Sequence, residues 1–315
     1  MPVASPAEWD ELAARHGGTF FHRHLFLSTV ATGLGLILDL RVAVVRGERA
    51  GAVPVLMKRL GPLRTVNWLP FPYIGPLVPA EALAPTLAAL ARHEWRQRSV
   101  RSQHVLLTRR DEAFPGYATS EDRTFVVPLA GRTDDDLLAG LNPRRRGDVR
   151  RAGRLGVHLR AATEHEVTEL LPRLSGATFT RQGLPAPYPA PFLRHVWDRL
   201  HGHPDVLFQT AAGPDGPVAV QISLAGGTGL GWIAGRSDDP VANGAFAAMV
   251  LGTLSWARDR GCHEFDLVGA PTEGIAAYKR DLGATERRYT VLRHQALVHR
   301  AAVTVLSRLP GSRIE

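Results

Sequence analysis

Apolar residues recur along this chain with two periods, one near 3.6 residues and one near two, and their succession predicts helices interleaved with short strands. Ser5-Pro6-Ala7-Glu8 has the form of a capping box with proline at the first helical position, and Gly17-Gly18 stops the helix it opens. Phe20, Phe21, Phe26 and Leu27 extend an apolar surface. Residues 41–46 and 51–56 read as two half-buried strands of a hairpin, with the turn at Gly47-Glu48. A proline-rich loop over 69–79 leads to a helix over 84–97, with Leu87, Leu90, Ala91 and Trp95 at compatible spacing. Short strands around 105–107 and 125–129 complete a first α/β unit.

The second half repeats the theme. Thr163-Glu164-His165-Glu166 is another capping-box form, and Phe192, Leu193, Val196, Trp197 and Leu200 mark an amphipathic helix. Residues 206–211, 218–224 and 230–234, separated by Gly213-Pro214-Asp215-Gly216 and Gly226-Gly227, predict a three-strand meander. The first of these turns echoes the layout of residues 47–55, as a duplicated chain would, although two hairpins also coincide by chance. Asn243 is placed to cap a helix over 244–260 whose Phe246, Met249, Val250, Thr253, Leu254 and Ala257 form a core face, and Gly261 stops it. A strand over 263–268 follows, so this step reads as a βαβ-type crossover. The expected division is an N-terminal domain over 1–140, a basic connecting helix over 141–156, a C-terminal domain over 157–300 and a tail over 301–315.

Composition narrows the class. The 315 residues are 44% hydrophobic and 22% charged, which is globular, and their length favours two cores over one. With 38 Lys and Arg against 30 Asp and Glu the net charge is +8. Two readings of it stand: a surface field that attracts RNA, nucleotide diphosphates or acidic lipids, or simply an Arg- and Ala-rich composition. Cys262 is the sole cysteine, so no intramolecular disulfide forms, and the N-terminus lacks a signal-peptide pattern; a cytoplasmic chain is expected. The uncharged stretch 240–257 has the length of a membrane helix, but Asn243, Gly244, Gly252, Thr253 and Ser255 dilute it, so a buried helix and no membrane span are expected. His22/His24 and His201/His203 lack ligand partners at recognised spacing, so no metal is expected, nor any cofactor. Hydrolase elbows and Walker-type phosphate loops are absent.

Four features resemble one family when taken in order. They are the Trp9 helix with Thr19-Phe20-Phe21-His22, the strip from Asn142-Pro143-Arg144-Arg145-Arg146 to Gly156-Val157, the triplet Arg181-Gln182-Gly183, and Phe265-Asp266-Leu267 followed by Tyr278-Lys279-Arg280-Asp281-Leu282-Gly283. Together they resemble the peptidoglycan bridge-forming, Fem-like aminoacyltransferases and their wider duplicated N-acyltransferase superfamily. The resemblance implies an α/β chain of two tandem Gcn5-related N-acyltransferase-like domains, mixed sheets flanked by helices. It also implies transfer of an aminoacyl group from aminoacyl-tRNA to the amine of a small acceptor, a specialised metabolite or a cell-wall precursor, by a monomer. Two alternatives are an N-acyltransferase using acyl-CoA or a carrier protein in envelope polysaccharide synthesis, and a non-catalytic anion-binding module. Bridge-forming members often carry a coiled-coil arm, and this chain has no heptad stretch for one.

On this resemblance Lys279 is the catalytic residue, placed near the terminal adenosine or the oxyanion, with Tyr278 as its packing or hydrogen-bonding neighbour. The alternative is that Lys279 and Arg280 are solvated charges at a helix end. Arg181 is the expected partner of an anionic substrate group, since a guanidinium matches phosphate or carboxylate. Tyr73 stands where relatives place a substrate-contacting Tyr-Gly-Gly, although Ile74 departs from that pattern. Arg146, Arg150 and Arg154 recur every four residues and form one basic ridge that either tracks an RNA backbone or is a solvated helix face. In CoA-using relatives a glycine-rich loop opens the helix that follows the fourth strand and cradles a pyrophosphate. Here that place reads Ser237-Asp238-Asp239-Pro240-Val241-Ala242-Asn243, with two carboxylates and a proline, which weighs against CoA.

Overall fold

A computed structural model describes residues 5–69, 73–181 and 188–295. Two compact units emerge: Met1–Asp122 with Arg288–Glu315, and Arg123–Arg287. The division falls at 122/123 and 287/288 rather than along 141–156, because the basic helix expected to connect two halves packs wholly within the second unit. The tail over 301–315 lies outside the described residues.

In the first unit, helix α1 (Pro6–Arg15) begins as its capping box predicts, with the Ser5 hydroxyl accepting the Glu8 amide at 3.2 Å. It buries Trp9, whose indole N–H donates to the His22 carbonyl at 2.7 Å. Helix α2 (His24–Gly33) follows. Strands β1 (Ile37–Val45) and β2 (Glu48–Leu60) form the expected hairpin, but its turn residues are Arg46 and Gly47, at φ 51° and 86°. A tight two-residue turn with both central residues left-handed follows the right-handed twist of the strands. Strand β3 (Leu63–Val66) pairs antiparallel with β2 and parallel with β4 (Ser99–Leu106), which is joined to β3 through α3 (Ala80–Arg96).

One feature of α3 departs from its sequence pattern. Trp95, placed by periodicity with the apolar residues, is 80% exposed, whereas Glu94 is 1% exposed. Glu94 continues the buried row of Leu83, Leu87 and Leu90, and it is tolerated there because three groups donate to it. Ser102 and His104 reach it at 2.6 Å each and Tyr117 at 3.2 Å. The described residues of β5 (Ala118–Pro128) and of the last strand, β11 (Thr285–Gln295), are shared between the units along the chain, and residues 290–295 of β11 pair antiparallel with β4.

The second unit starts with β5 and two helices, α4 (Asp134–Gly140), capped by Thr133, and α5 (Pro143–Arg154), capped by Asn142. Next come β6 (His158–Ala161), a π-helical turn at Glu166–Leu170, α6 (Leu171–Arg181) and α7 (Ala190–Leu200). The predicted meander is β7 (Val206–Gly213), β8 (Gly216–Leu224) and β9 (Thr228–Arg236), all antiparallel neighbours. Helix α8 (Ala242–Asp259) crosses over to β10 (Glu264–Gly269), which runs parallel to β9 and antiparallel to β5, and α9 (Glu273–Asp281) follows. Asn243 lies inside α8 rather than at its cap, since the helix begins two residues earlier than expected, at Ala242, directly after the Asp239–Val241 bend.

The close crossing of α5 over α8 depends on a missing side chain. A Cβ on Gly244 would sit 2.5 Å from the Asp148 carbonyl oxygen and 3.1 Å from Ala152. Gly244→Ala is expected to destabilise the chain by about 1–3 kcal/mol through overpacking, read as a lower denaturant midpoint. An unchanged midpoint would show that the crossing is not so tight.

Candidate active site

Strands β9 and β10 are hydrogen-bonded neighbours only over Thr228–Leu230 and Glu264–Asp266. Beyond that point β9 continues to Arg236 along β8, while β10 keeps to β5 and its register shifts between Asp266 and Gly269. The parallel pair therefore separates at its carboxyl end, where open α/β sheets bind ligands.

The shift in β10 is a bulge centred on Val268, which holds a φ of 58°. A β-branched residue in this region is strained by roughly 1–3 kcal/mol and persists only where its surroundings impose it. Two side chains impose it here. Asp266, 4% exposed, accepts the Val268 amide at 2.6 Å and the Thr124 hydroxyl through a short hydrogen bond, with the Arg287 guanidinium 4.0 Å away. Lys279, reaching back from α9, donates to the carbonyls of Leu267 at 2.5 Å, Val268 at 3.0 Å and Gly269 at 2.6 Å.

An ammonium has three hydrogens and no acceptor, so this arrangement uses the whole donor capacity of Lys279. Burial lowers its pKa from 10.5 to about 8, with the Asp266 charge opposing. A neutral amine has only two hydrogens for three carbonyls, and its lone pair would face an oxygen. Turnover is therefore expected to fall as pH rises through about 8, the depressed value, rather than near 10.5. A pH–rate profile checks this, and a rate that stays level from neutral pH to well above that value would contradict it.

Outside Lys279, Arg123 and Arg280 alternate with Glu273 and Glu286 in four contacts of 2.7–3.3 Å. These exposed pairs orient α9 but add little stability individually. Tyr278 faces the other way. Its ring lies 4.6 Å from the Arg145 guanidinium carbon and 6.0 Å from the Phe246 ring, and its hydroxyl is buried without a hydrogen-bond partner among the described residues. Burial pushes the phenol up to about 12, against the opposing charges of Arg145 and Arg236, so it remains a proton-bearing donor at neutral pH. Arg145 is paired with Asp148 at 2.9 Å and Asp281 at 3.3 Å, which ties the start of α5 to the end of α9.

The amino end of α8 is already occupied by the chain's own groups. The Asp239 carboxylate accepts the Val241 amide at 2.8 Å, and the Ser237 hydroxyl accepts the Asp239 amide at 3.3 Å. A helix start with its positive dipole end is a natural anion site, and here a side-chain carboxylate takes that place.

The remaining expected residues are dispersed. Arg146 does not extend along the basic ridge; its guanidinium caps the end of α4 through the carbonyls of Ala139 at 2.8 Å and Leu141 at 2.5 Å. Arg144, Arg150, Arg151 and Arg154 are exposed. Tyr73 is 3% exposed in the core of the first unit, at φ 80°, with its ring 6.1 Å from Phe21 and 5.4 Å from Tyr289. The Arg181 side chain, Gln182 and Gly183 lie outside the described residues. In the sequence Asp266 stood out only as part of Phe265-Asp266-Leu267, with no role of its own, and Val268 and Thr124 did not stand out. The one signal was an aspartate between Phe265 and Leu267. Among the described residues no group of His, Cys, Asp and Glu could hold a metal ion, and no helix is long and apolar enough to cross a membrane.

No curated protein matches the chain in sequence. Residues 143–280, from the start of α5 to Arg280, match the acetyltransferase (GNAT) domain family. Among solved structures, FemX is similar over 98% of this chain and 99% of its own, with a TM-score of 0.73 at 13% identity. The L-PGS of Bacillus licheniformis is similar over 99% of both chains, with a TM-score of 0.57 at 14% identity. A tandem GNAT protein from the clavulanic acid biosynthesis pathway is similar over 91% of this chain and 93% of its own, with a TM-score of 0.53 at 13% identity. The parallel-strand opening, the α8 crossover and nearly all of α9 lie inside the segment that matches the GNAT domain family, and over nearly its whole length the chain has the fold of FemX.

Proposed function

We propose that the chain is an aminoacyltransferase that forms an amide bond, taking an aminoacyl group from aminoacyl-tRNA to the amine of a small acceptor. The observation that carries this reading is the Asp239 carboxylate at the amino end of α8. A diphosphate brought there would meet a fixed negative charge and amides already bonded to Ser237 and Asp239. An ester on the terminal ribose of a tRNA needs no pyrophosphate cradle, and the exposed arginines of α5 suit a polyanion.

In the reaction the neutral acceptor amine attacks the ester carbonyl, the C–N bond forms, and the ester C–O bond breaks. The proton lost by nitrogen goes to the departing ribose oxygen. The chain's contributions follow from geometry. The separation of β9 from β10 provides the place for the carbonyl, and Lys279 with Asp266 fixes the edge of that opening by imposing the Val268 bulge. In this reading Lys279 acts through the backbone it holds, because its three donors are already spent. Tyr278, one residue before Lys279 on α9, keeps its proton at neutral pH, and its buried hydroxyl has no hydrogen-bond partner among the described residues.

If the donor is RNA-borne, tRNA binding measured by fluorescence anisotropy weakens steeply with salt, and Arg150→Ala and Arg154→Ala each reduce the log–log slope by about one unit or less. A flat salt dependence, or slopes untouched by both substitutions, would overturn the assignment of α5 to RNA.

A further inference from the structure

The first unit exposes an apolar tip within a basic field. Leu60 and Leu63 face each other across the β2–β3 hairpin at 46% and 37% exposure, flanking the Gly61-Pro62 turn. Behind them Arg59 pairs with Arg64, and Arg64 in turn lies beside Ser99, its amide bonded to the Arg98 carbonyl at 3.4 Å. The Arg98 amide bonds back to the Trp95 carbonyl at 3.0 Å, which brings the last turn of α3 to the same end. Trp95 is the most exposed large apolar side chain among the described residues, at 80%.

Lys58, Arg59, Arg92, Arg96 and Arg98, on the same hairpin and the end of α3, are all exposed. Neither the run 55–69 nor 95–101 contains an acidic residue. The only neighbouring carboxylate within α3's last turns, Glu94, is buried and bonded to Ser102, His104 and Tyr117. Among the described residues none of these five cations is in an ion pair, and the β1 carboxylate that acts on His93 of α3, Asp39, is itself bonded to Arg41.

We propose that this end of the first unit docks on an anionic lipid surface, with Leu60, Leu63 and Trp95 entering the interface and the surrounding Lys and Arg meeting lipid phosphates. Tryptophan favours the boundary between headgroups and hydrocarbon, and each basic side chain near such a surface adds an increment that salt screens. Nucleic acid matches the charge but not the tip. A base offers a stacking face to an aromatic ring, whereas two aliphatic side chains at a hairpin turn gain by leaving water for hydrocarbon. The proposal is independent of the donor used for acyl transfer, since no residue of the second unit enters it.

Co-sedimentation of the full chain with vesicles tests it. Binding is expected with phosphatidylcholine–phosphatidylglycerol vesicles and not with phosphatidylcholine alone, and it should decline with salt. The Leu60→Ser/Leu63→Ser/Trp95→Ser variant, which keeps every charge, should lose about tenfold or more in vesicle affinity. Arg59→Gln and Arg96→Gln should each lose about fivefold. These side chains are exposed, so an unchanged thermal midpoint serves as the folding control. Three outcomes would overturn the proposal. One is no binding to anionic vesicles; another is binding unaffected by loss of the apolar tip; the third is loss of tRNA affinity in the same variants with vesicle affinity intact, which would make this face a nucleic-acid site.

Discussion

Lys279→Met is expected to cut kcat/KM about a hundredfold while leaving the chain folded, and Val268→Gly introduced beside it is expected to restore about a tenth or more of the lost rate. The first figure is the typical consequence of misplacing a reacting centre by about an ångström. The second follows from the strain at Val268. Methionine fills the space of the lysine but offers nothing to the carbonyls of Leu267, Val268 and Gly269. Without those bonds a valine at φ 58° relaxes toward an extended conformation, and β10 re-pairs along its neighbours. Glycine adopts that φ without penalty, so the bulge no longer needs a clamp. Val268→Gly alone should keep near wild-type turnover. If Lys279 instead touched the acyl group directly, the double variant would be as inactive as Lys279→Met, because no backbone change replaces a missing ammonium. Steady-state kinetics on the four proteins of this cycle, with circular dichroism as folding control, separates the two roles.

The largest expected effect on stability lies in the first unit. Glu94→Ala should cost about 3–5 kcal/mol, because it strips a shared acceptor from Ser102, His104 and Tyr117 at a buried site. Denaturant unfolding reads this as a lower midpoint at unchanged slope. A loss under about 1 kcal/mol would mean that the three donors find other partners. The same carboxylate predicts an acid sensitivity. Burial pushes Glu94 up, but the His104 charge and hydrogen bonds from His104, Ser102 and Tyr117 outweigh it and hold the group below its ordinary 4.5. A carboxylate depressed in the folded state contributes stability that is present above its unfolded pKa and fades as pH falls through the folded one. Glu94→Gln should accordingly flatten the decline of stability below that ordinary value.

What the sequence made readable was local. The Ser5 cap, the α8 crossover, the meander from β7 to β9 and the helix–strand order of the second unit all rest on periodicity and turn residues within a few positions of one another. Glu94 and Trp95 show the boundary of such reasoning. Both lie near the edge of the row set by Leu83, Leu87 and Leu90, and hydrophobicity chooses the tryptophan. The choice is reversed by Ser102 and His104 from the next strand, β4, and by Tyr117 from the bend before β5, which make a buried carboxylate the better-satisfied residue.

The site shows the same limit. Lys279 was conspicuous through its resemblance to a known family, yet what it does depends on three carbonyls 10–12 residues upstream and on a backbone conformation that nothing in Leu267-Val268-Gly269 announces. Arg146 looked like one member of a regular basic row, and the carbonyls left open by the end of α4 claim it instead. Asp239 was visible as a charge unsuited to a pyrophosphate. Its hydrogen bond to the Val241 amide adds that the position is filled, not merely repulsive.

An RNA-borne aminoacyl donor is tested most directly by one assay. Purified protein is given radiolabelled aminoacyl-tRNA in one reaction and radiolabelled acyl-CoA in another, each with an amine-rich fraction of cell extract as acceptor, and label in acid-stable, base-stable amide is followed over time. Label moving from aminoacyl-tRNA and none from acyl-CoA is the predicted result. Label moving from acyl-CoA alone would contradict it, and would mean that the donor's diphosphate is held somewhere other than the amino end of α8.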